Sequence, residues 1–301
     1  MSQVITTGNH PKAMWPGIKA WWTTGQEHAP LYPELFEMDT SDKAYEELVE
    51  DYGFNLIAVK PQADSITYQV DGQGPTTRVT HVAYAGGYMV SHEEMVDDRY
   101  PEVSKRRTAK LARAARATHE TVAANVYNNA FSSSFLGADG VALISASHPT
   151  PTGNQSNAPT AADMSEAAIE DAITLIMKMT DAMSLKEDLK AMSLHYPPDL
   201  WAEANRIVKS ILQNDSAQNA VNVIKLTGQF PNGLKPNTYF TDSDAWFIRT
   251  DEPDSLVHYQ REPLSSDEDG AFDNKVQKYA CYERWAAKWG NWRGLVASQG
   301  V

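Results

Sequence analysis

"PEVSKRRTAKLARAARATHETVAANVYNNA", residues 101–130, holds no glycine and no proline after Pro101. A proline suits the first position of a helix, where its missing N–H is not needed. The stretch therefore predicts one continuous helix of about 45 Å at 1.5 Å per residue. Leu111, Ala115, Thr118, Val122 and Val126 recur at helical spacing and predict a narrow, alanine-rich stripe that lets another element approach closely. Lys105, Arg106, Arg107, Lys110, Arg113 and Arg116 crowd the first half. They read either as a solvated face or as an inward surface that touches phosphate or an acidic partner.

Upstream, the pattern changes to period two between Asn55 and Tyr84. Ile66, Tyr68 and Val70 precede Asp71-Gly72-Gln73-Gly74, and Val79, His81 and Ala83 follow it. That predicts a β-hairpin turning at 71–74, long and thinly cored. Residues 1–40 are rich in proline and glycine yet carry Trp15, Trp21 and Trp22. Those rings have too little local chain to cover them and must dock, either on the chain's own core or as a clasp on a neighbouring subunit.

Downstream, Asp163 and Glu166 resemble a capping box that opens a second helix, with Ile169, Ile173, Ile176 and Met177 at core spacing. A strand through Ser193–Tyr196 is followed by Pro197-Pro198-Asp199 and a third helix whose Leu200, Ala204, Ile207, Val208 and Ile211 share a face. The remainder reads as strands. In "KVQKYACYERWAAKW", residues 275–289, Tyr279, Cys281, Trp285 and Trp289 share one side, so Cys281 is expected to be a buried thiol. Helices and strands mix without repeated βαβ units, and the class is α+β.

The chain has 301 residues, 42% of them hydrophobic, enough for a substantial core. Its net charge of −13 argues against broad binding to nucleic acid or anionic membrane. One cysteine excludes an intrachain disulfide framework. No apolar run approaches the roughly 18–20 residues of a membrane span, and no signal-peptide layout opens the chain. The expectation is a soluble protein made in a reducing compartment.

Catalytic templates fail in turn. "DGVALISASHPTPTGNQSNAPT", residues 139–160, contains Asp139, Ser145, Ser147 and His148. Neither serine is framed as Gly-x-Ser-x-Gly, and His148 precedes a proline that biases it to extended backbone. "VALIS" reads as a short strand that enters a loop of turn-forming residues. The runner-up reading is a hydrolase that uses Ser147 and His148. His92-Glu93 is followed by Val96, where a zincin helix needs its second histidine. "SSDEDGAFDNKV", residues 265–276, matches a calcium loop at Asp267, Asp269 and Gly270 but lacks the acids at positions one and twelve, and reads as a solvated turn. No nucleotide-binding signature occurs. The reading therefore names no catalytic residue, cofactor or metal, and the long helix, ribbon and tryptophan-bearing arm point toward assembly.

Several ordered segments carry a resemblance. "PKAMWPG" (11–17), "TSDKAYEE" (40–47), "TTRVTHVAY" (76–84), "DGVALISASHPT" (139–150) with "GNQSN" (153–157), "PPDLWAEANRIVKS" (197–210), "TDSDAWFIRTDEP" (241–253) and "WGNWRGL" (289–295) together resemble major capsid proteins of tailed bacteriophages, over nearly the whole chain. The resemblance implies the phage major capsid fold, shared with encapsulin shells. It would divide the chain into an N-terminal arm (1–51), an extended loop (52–95), a spine helix and peripheral domain (96–195), an axial domain (196–272) and a C-terminal return through the peripheral domain (273–301). The implied function is a structural head protein that self-assembles, as pentamers and hexamers, into an icosahedral virion shell around double-stranded DNA. Assembly would take place in the host cytoplasm; an encapsulin-like cellular shell is the alternative within the fold.

The implied partners are other copies of the chain, a portal and an added cement protein, with weak non-specific contact to packaged DNA. Family-like sequence begins by Pro11, which favours a separate scaffolding protein. Trp15, Trp21, Trp22 and Arg78 are the expected inter-subunit contacts. Some relatives weld subunits through an extended-loop lysine. No lysine occurs from Pro61 to Ser104, and the expected tip "DGQGPTTR" offers only Arg78, a poor nucleophile, so a non-covalent shell is expected.

Overall fold

The computed structural model describes residues 29–301 apart from 98–99, 213–220, 272 and 274, and for 95–97 and 100–105 the backbone alone. Trp15, Trp21, Trp22 and the Lys105 side chain lie outside the described residues.

The elements of the described residues begin with a short 3-10 turn, Tyr32–Glu34, followed by β1 (Glu37–Thr40), β2 (Tyr45–Asp51), β3 (Gln73–Thr80) and β4 (Val82–Val90). A short α1 (His92–Asp97) precedes α2 (Tyr100–Asn128), the long helix read from the sequence. Next come β5 (His148–Thr150), β6 (Gly153–Gln155), α3 (Glu166–Lys178), β7 (Ala191–Tyr196), α4 (Trp201–Lys209) and α5 (Val223–Leu226). The chain ends with β8 (Leu234–Pro236), β9 (Trp246–Thr250), β10 (Leu256–Gly270), β11 (Gln277–Trp289) and β12 (Leu295–Ser298).

Two sheets organise these elements. One has the order β1-β10-β11-β4, with β1 parallel to β10 and the rest antiparallel. The other has the order β12-β9-β7-β8. The main core lies between the C-terminal half of α2, α3 and the second sheet, with Ala123, Ala124, Tyr127, Ile169, Leu194 and Trp246 among its most buried side chains. The α+β class stands.

The long helix is present, but its buried face is turned from the expected stripe. Thr118 is exposed, while Thr108, Ala112, His119, Glu120, Ala123 and Tyr127 are buried. The displacement has a simple cause: two polar residues, His119 and Glu120, find partners inside, and a reading that places polar groups in solvent rotates the face away from them.

The hairpin also differs. β3 pairs not with 66–70 but with β2, from Tyr45↔Thr80 to Asp51↔Gln73. The ribbon's first leg thus lies in the stretch assigned to the arm. Gly72 and Gly74 do not make a tight turn. They let the Tyr52 ring cross the strand, and a Cβ on Gly74 would stand 2.7 Å from that ring and 2.9 Å from the Glu50 carbonyl oxygen.

Three smaller expectations need correction. The α3 N-cap is Ser165, whose Oγ accepts from the Ala168 N–H; Asp163 does not cap it. "VALIS" is not a strand and contributes only the Leu136↔Ala142 bridge. Ser265–Gly270, read as a solvated turn, belongs to β10 and pairs with β11. The extended backbone sends alternate side chains to opposite faces and cannot close around an ion.

Candidate assembly surfaces

Beyond the β2–β3 pairing, residues 53–70 form no strand and turn back at Pro61–Asp64, where the Asp64 N–H donates to the Pro61 carbonyl. This tip is apolar and bare. Ile57 is 92% exposed, Val59 95%, Tyr68 87% and Val70 90%, with Leu56 and Ile66 also open. Polar residues alternate with them along the second side, where Gln69 clips the two sides of the loop, its Oε1 accepting from the Asn55 N–H and its Nε2 donating to the Asn55 carbonyl. Six large apolar side chains on one projection form the kind of exposed patch that marks a contact surface. Lys60 stands beside the turn and is exposed. A non-covalent shell is expected only of a tip without lysine, and Lys60 stands at this tip.

The ribbon's root is as firmly held as its tip is bare. Leu48 packs on Val79, Val257, Tyr259 and Ala286. Arg293, 1% exposed, donates to the Glu50 carboxylate (2.9 Å), the Gln155 side-chain oxygen (2.9 Å) and the Thr180 carbonyl (2.8 Å), and lies over the Trp292 ring. Glu187 Oε2 stands 3.6 Å from Arg293 Nε, a second acid beside one cation, and burial pushes its carboxyl up. Burial, with Glu187 nearby, pushes the neighbouring Glu252 carboxyl up to about 7, while Arg293 pulls it down. Arg78, expected to reach a neighbour's acid, pairs within its own ribbon: Nε and Nη2 donate to Glu47 Oε1 at 2.9 and 2.7 Å, and the guanidinium lies over Tyr45.

Of the basic residues on α2, Arg106, Lys110 and Arg113 are exposed. Arg107 pairs with Glu94, and Arg116 donates to the Ala29 carbonyl. The row therefore divides into a solvated face and two residues engaged within the subunit.

The serine–histidine stretch resolves into structure. His148 is fully buried and stacked on Trp292 (4.3 Å between centroids). Its Nδ1 faces Asp139 Oδ2 at 2.7 Å, and its Nε2 faces Asn157 Oδ1 at 3.1 Å. Asn157 donates its amide to the carbonyls of Leu143, Trp292 and Leu295, which fixes its oxygen toward the ring. Both ring nitrogens are therefore engaged, one with Asp139 and one with Asn157, and neither faces a serine hydroxyl. Ser147 Oγ accepts instead from Asn154, at 2.7 Å. The arrangement ties the loop after α2 to the C-terminal strand.

Sequence reasoning missed a second histidine cluster between α2 and the first sheet. His119 Nδ1 is 3.1 Å from Glu283 Oε2, and His119 Nε2 is 2.9 Å from His258 Nε2. Tyr32 and Trp285 each stack on His119 with centroids 3.9 Å away. Glu120 accepts from the Leu31 and Tyr32 N–H groups, at 2.7 and 2.9 Å, and seats the incoming chain on the helix. Burial, then His119, holds His258 down at about 4. Among the described residues no group of three or more His, Cys, Asp or Glu could hold a metal ion, and no helix is long and apolar enough to cross a membrane.

Comparison with known proteins places this architecture. The family described as phage capsid protein matches residues 74–298. No curated protein matches the sequence. Among solved structures, the capsid of Myoviridae phage XM1 is 12% identical with a TM-score of 0.56, covering 92% of this chain and 94% of its own. The capsid of cyanophage P-SCSP1u gives 9% and 0.57, covering 91% and 88%. A virus-like particle from Pyrococcus furiosus gives 11% and 0.53, covering 94% and 98%. At these identities the likeness is one of fold.

Proposed function

The chain belongs to the phage capsid protein family, and from that premise we propose that its copies close into an icosahedral head shell around double-stranded DNA, held by the apolar loop tip. A capsid shell is made of repeated contacts between copies, and the protein is structural. The observation that supports the specific reading is the contrast within the ribbon. Its root is fixed by a buried arginine network, and its tip presents six uncovered apolar side chains that a subunit alone has no use for. A heterologous contact, tip onto neighbour, repeats until curvature closes the surface, and many modest contacts then act together.

The finer assignments follow from this reading. The arm, extended loop, spine helix with peripheral domain, axial domain and C-terminal return keep the boundaries given above, except that the ribbon begins at Tyr45. Arg106, Lys110 and Arg113 would supply weak, non-specific contact to packaged DNA, which the net charge of −13 keeps from becoming general adhesion. A separate scaffolding protein, a portal and a cement protein would be the other partners, with assembly in the host cytoplasm and residence in the virion. The protein would carry no enzymatic activity, because His148 has no nitrogen left to activate Ser147. Purified chain is expected to sediment as capsomers or shells, and a loop-deleted chain lacking 54–70 as folded, unassembled subunits. Assembly by the deleted chain at the same concentration would overturn the role given to the tip.

A further inference from the structure

The His119–His258 contact can hold only certain numbers of protons. Two imidazole nitrogens 2.9 Å apart need one donor and one acceptor. With both rings neutral, His119 donates from Nδ1 to Glu283 and accepts at Nε2 from His258. The buried Nδ1 of His258 is then a lone pair without a partner, as is Glu283 Oε1. One added proton is accommodated: His119 donates from both nitrogens, to Glu283 and to His258, and the charge sits beside the carboxylate. A second is not. It sets N–H against N–H and cation against cation in a site where His258 is fully buried and His119 and Glu283 nearly so.

The array joins three parts of the chain. His119 belongs to α2, and His258 and Glu283 to the first sheet through β10 and β11, while Tyr32, from the 3-10 turn before β1, stacks on His119. The charged and titratable groups around the pair are Glu283 from β11, Tyr32 from the segment before β1, Glu120 and Arg116 from α2, and Tyr84 from β4, which stacks on Trp285 and is raised by burial and then by Glu283. Burial, with Glu120 and Glu283, raises the Tyr32 phenol, which stays neutral throughout the acid range.

We propose that this array is an acid-operated latch: double protonation of the His119–His258 pair breaks the contact, unseats Tyr32, and releases the chain entering at Ala29–Leu31 from the long helix while the rest of the subunit stays folded. In a shell, such a release changes which surface one copy offers the next. The proton acts where the helix, the sheet and the entering segment meet, so one local event reaches all three.

The test uses full-length subunits carrying Ala29→Cys with a nitroxide spin label. Cys281 is buried and its thiol is raised by burial, so it does not compete for the label. Label mobility and far-UV circular dichroism are followed from pH 7.5 to 3. The expected result is a switch from immobile to mobile label with a midpoint near pH 4, where the buried His258 takes its proton, and unchanged helicity. In His258→Gln, whose amide keeps a hydrogen bond to His119 but takes no proton, the midpoint falls by at least about one pH unit. His119→Gln serves as the second variant and carries the test if the first does not fold. A midpoint unmoved in either folded variant assigns the release to another group, Glu120 first, and overturns the latch. Mobility that appears only together with loss of helicity overturns it as well.

Discussion

Replacing Ile57, Val59 and Tyr68 together by serine should separate folding from assembly. In the subunit these side chains are 92%, 95% and 87% exposed, so their removal should change its unfolding free energy by no more than about 0.5 kcal/mol, the range of ordinary surface substitutions. In a shell they are expected to be covered. Full burial of a large apolar side chain contributes about 1.5–3 kcal/mol, and half-burial about 1 kcal/mol. Three such losses amount to about 3 kcal/mol per subunit. At 1.4 kcal/mol per decade, the concentration at which shells first form should rise about 100-fold. Light scattering against protein concentration at fixed salt gives that threshold, and thermal melting of unassembled subunits gives the control. An unchanged threshold would mean that the tip makes no contact in the shell, and a subunit that melts much earlier would mean that the loop packs within its own subunit; either outcome overturns the role given to the tip.

Arg293→Ala should destabilise the subunit by about 3–5 kcal/mol in denaturant titration, because Glu50 and Glu187 lose their buried counter-charge; a loss under 1 kcal/mol would mean the network is not a structural tie. Ser147→Ala should leave stability within about 0.5 kcal/mol, as expected for an exposed serine, whereas His148→Ala should cost about 2–4 kcal/mol through the lost Asp139 and Asn157 bonds. Neither variant should change ester turnover, and a serine-dependent activity would revive the hydrolase reading. The Glu252 carboxyl, ordinarily near 4.5, is raised to about 7 in the fold. The folded state therefore holds a proton that the unfolded state has released between those values, and the stability this gives is full below pH 4.5 and lost as pH rises through 7. Glu252→Gln should accordingly raise the melting temperature at pH 8 relative to the parent, with the advantage vanishing toward pH 4.5. A pH-independent difference would contradict that assignment.

The sequence displays its regular elements and hides its polar interior. A 29-residue helix without breakers declares itself, as does β11, whose Tyr279, Cys281, Trp285 and Trp289 alternate onto one buried face. The same face carries Glu283, which alternation places correctly but chemistry argues against. His119 and Glu120 misled in the same way, since each is satisfied by residues far off in the chain: His258 lies 139 positions from His119, and Leu31 89 from Glu120. Period-two spacing was also present in "YEELVED", where Glu46, Leu48 and Glu50 are partly covered. Its acids concealed it as a strand, and the stronger turn signal of "DGQG" drew the hairpin to the wrong partner. Of the ribbon, only the strand at 76–80 was legible from pattern; its true partner, its bare tip and its Arg293 anchor depend on a register that only tertiary structure supplies.

Electron microscopy of the purified chain at rising concentration, alone and with a co-expressed scaffolding protein, distinguishes a shell-forming subunit from a solitary one. Rings, capsomers or closed shells built from one repeated subunit are expected. A compact monomer under every assembly condition would contradict that expectation.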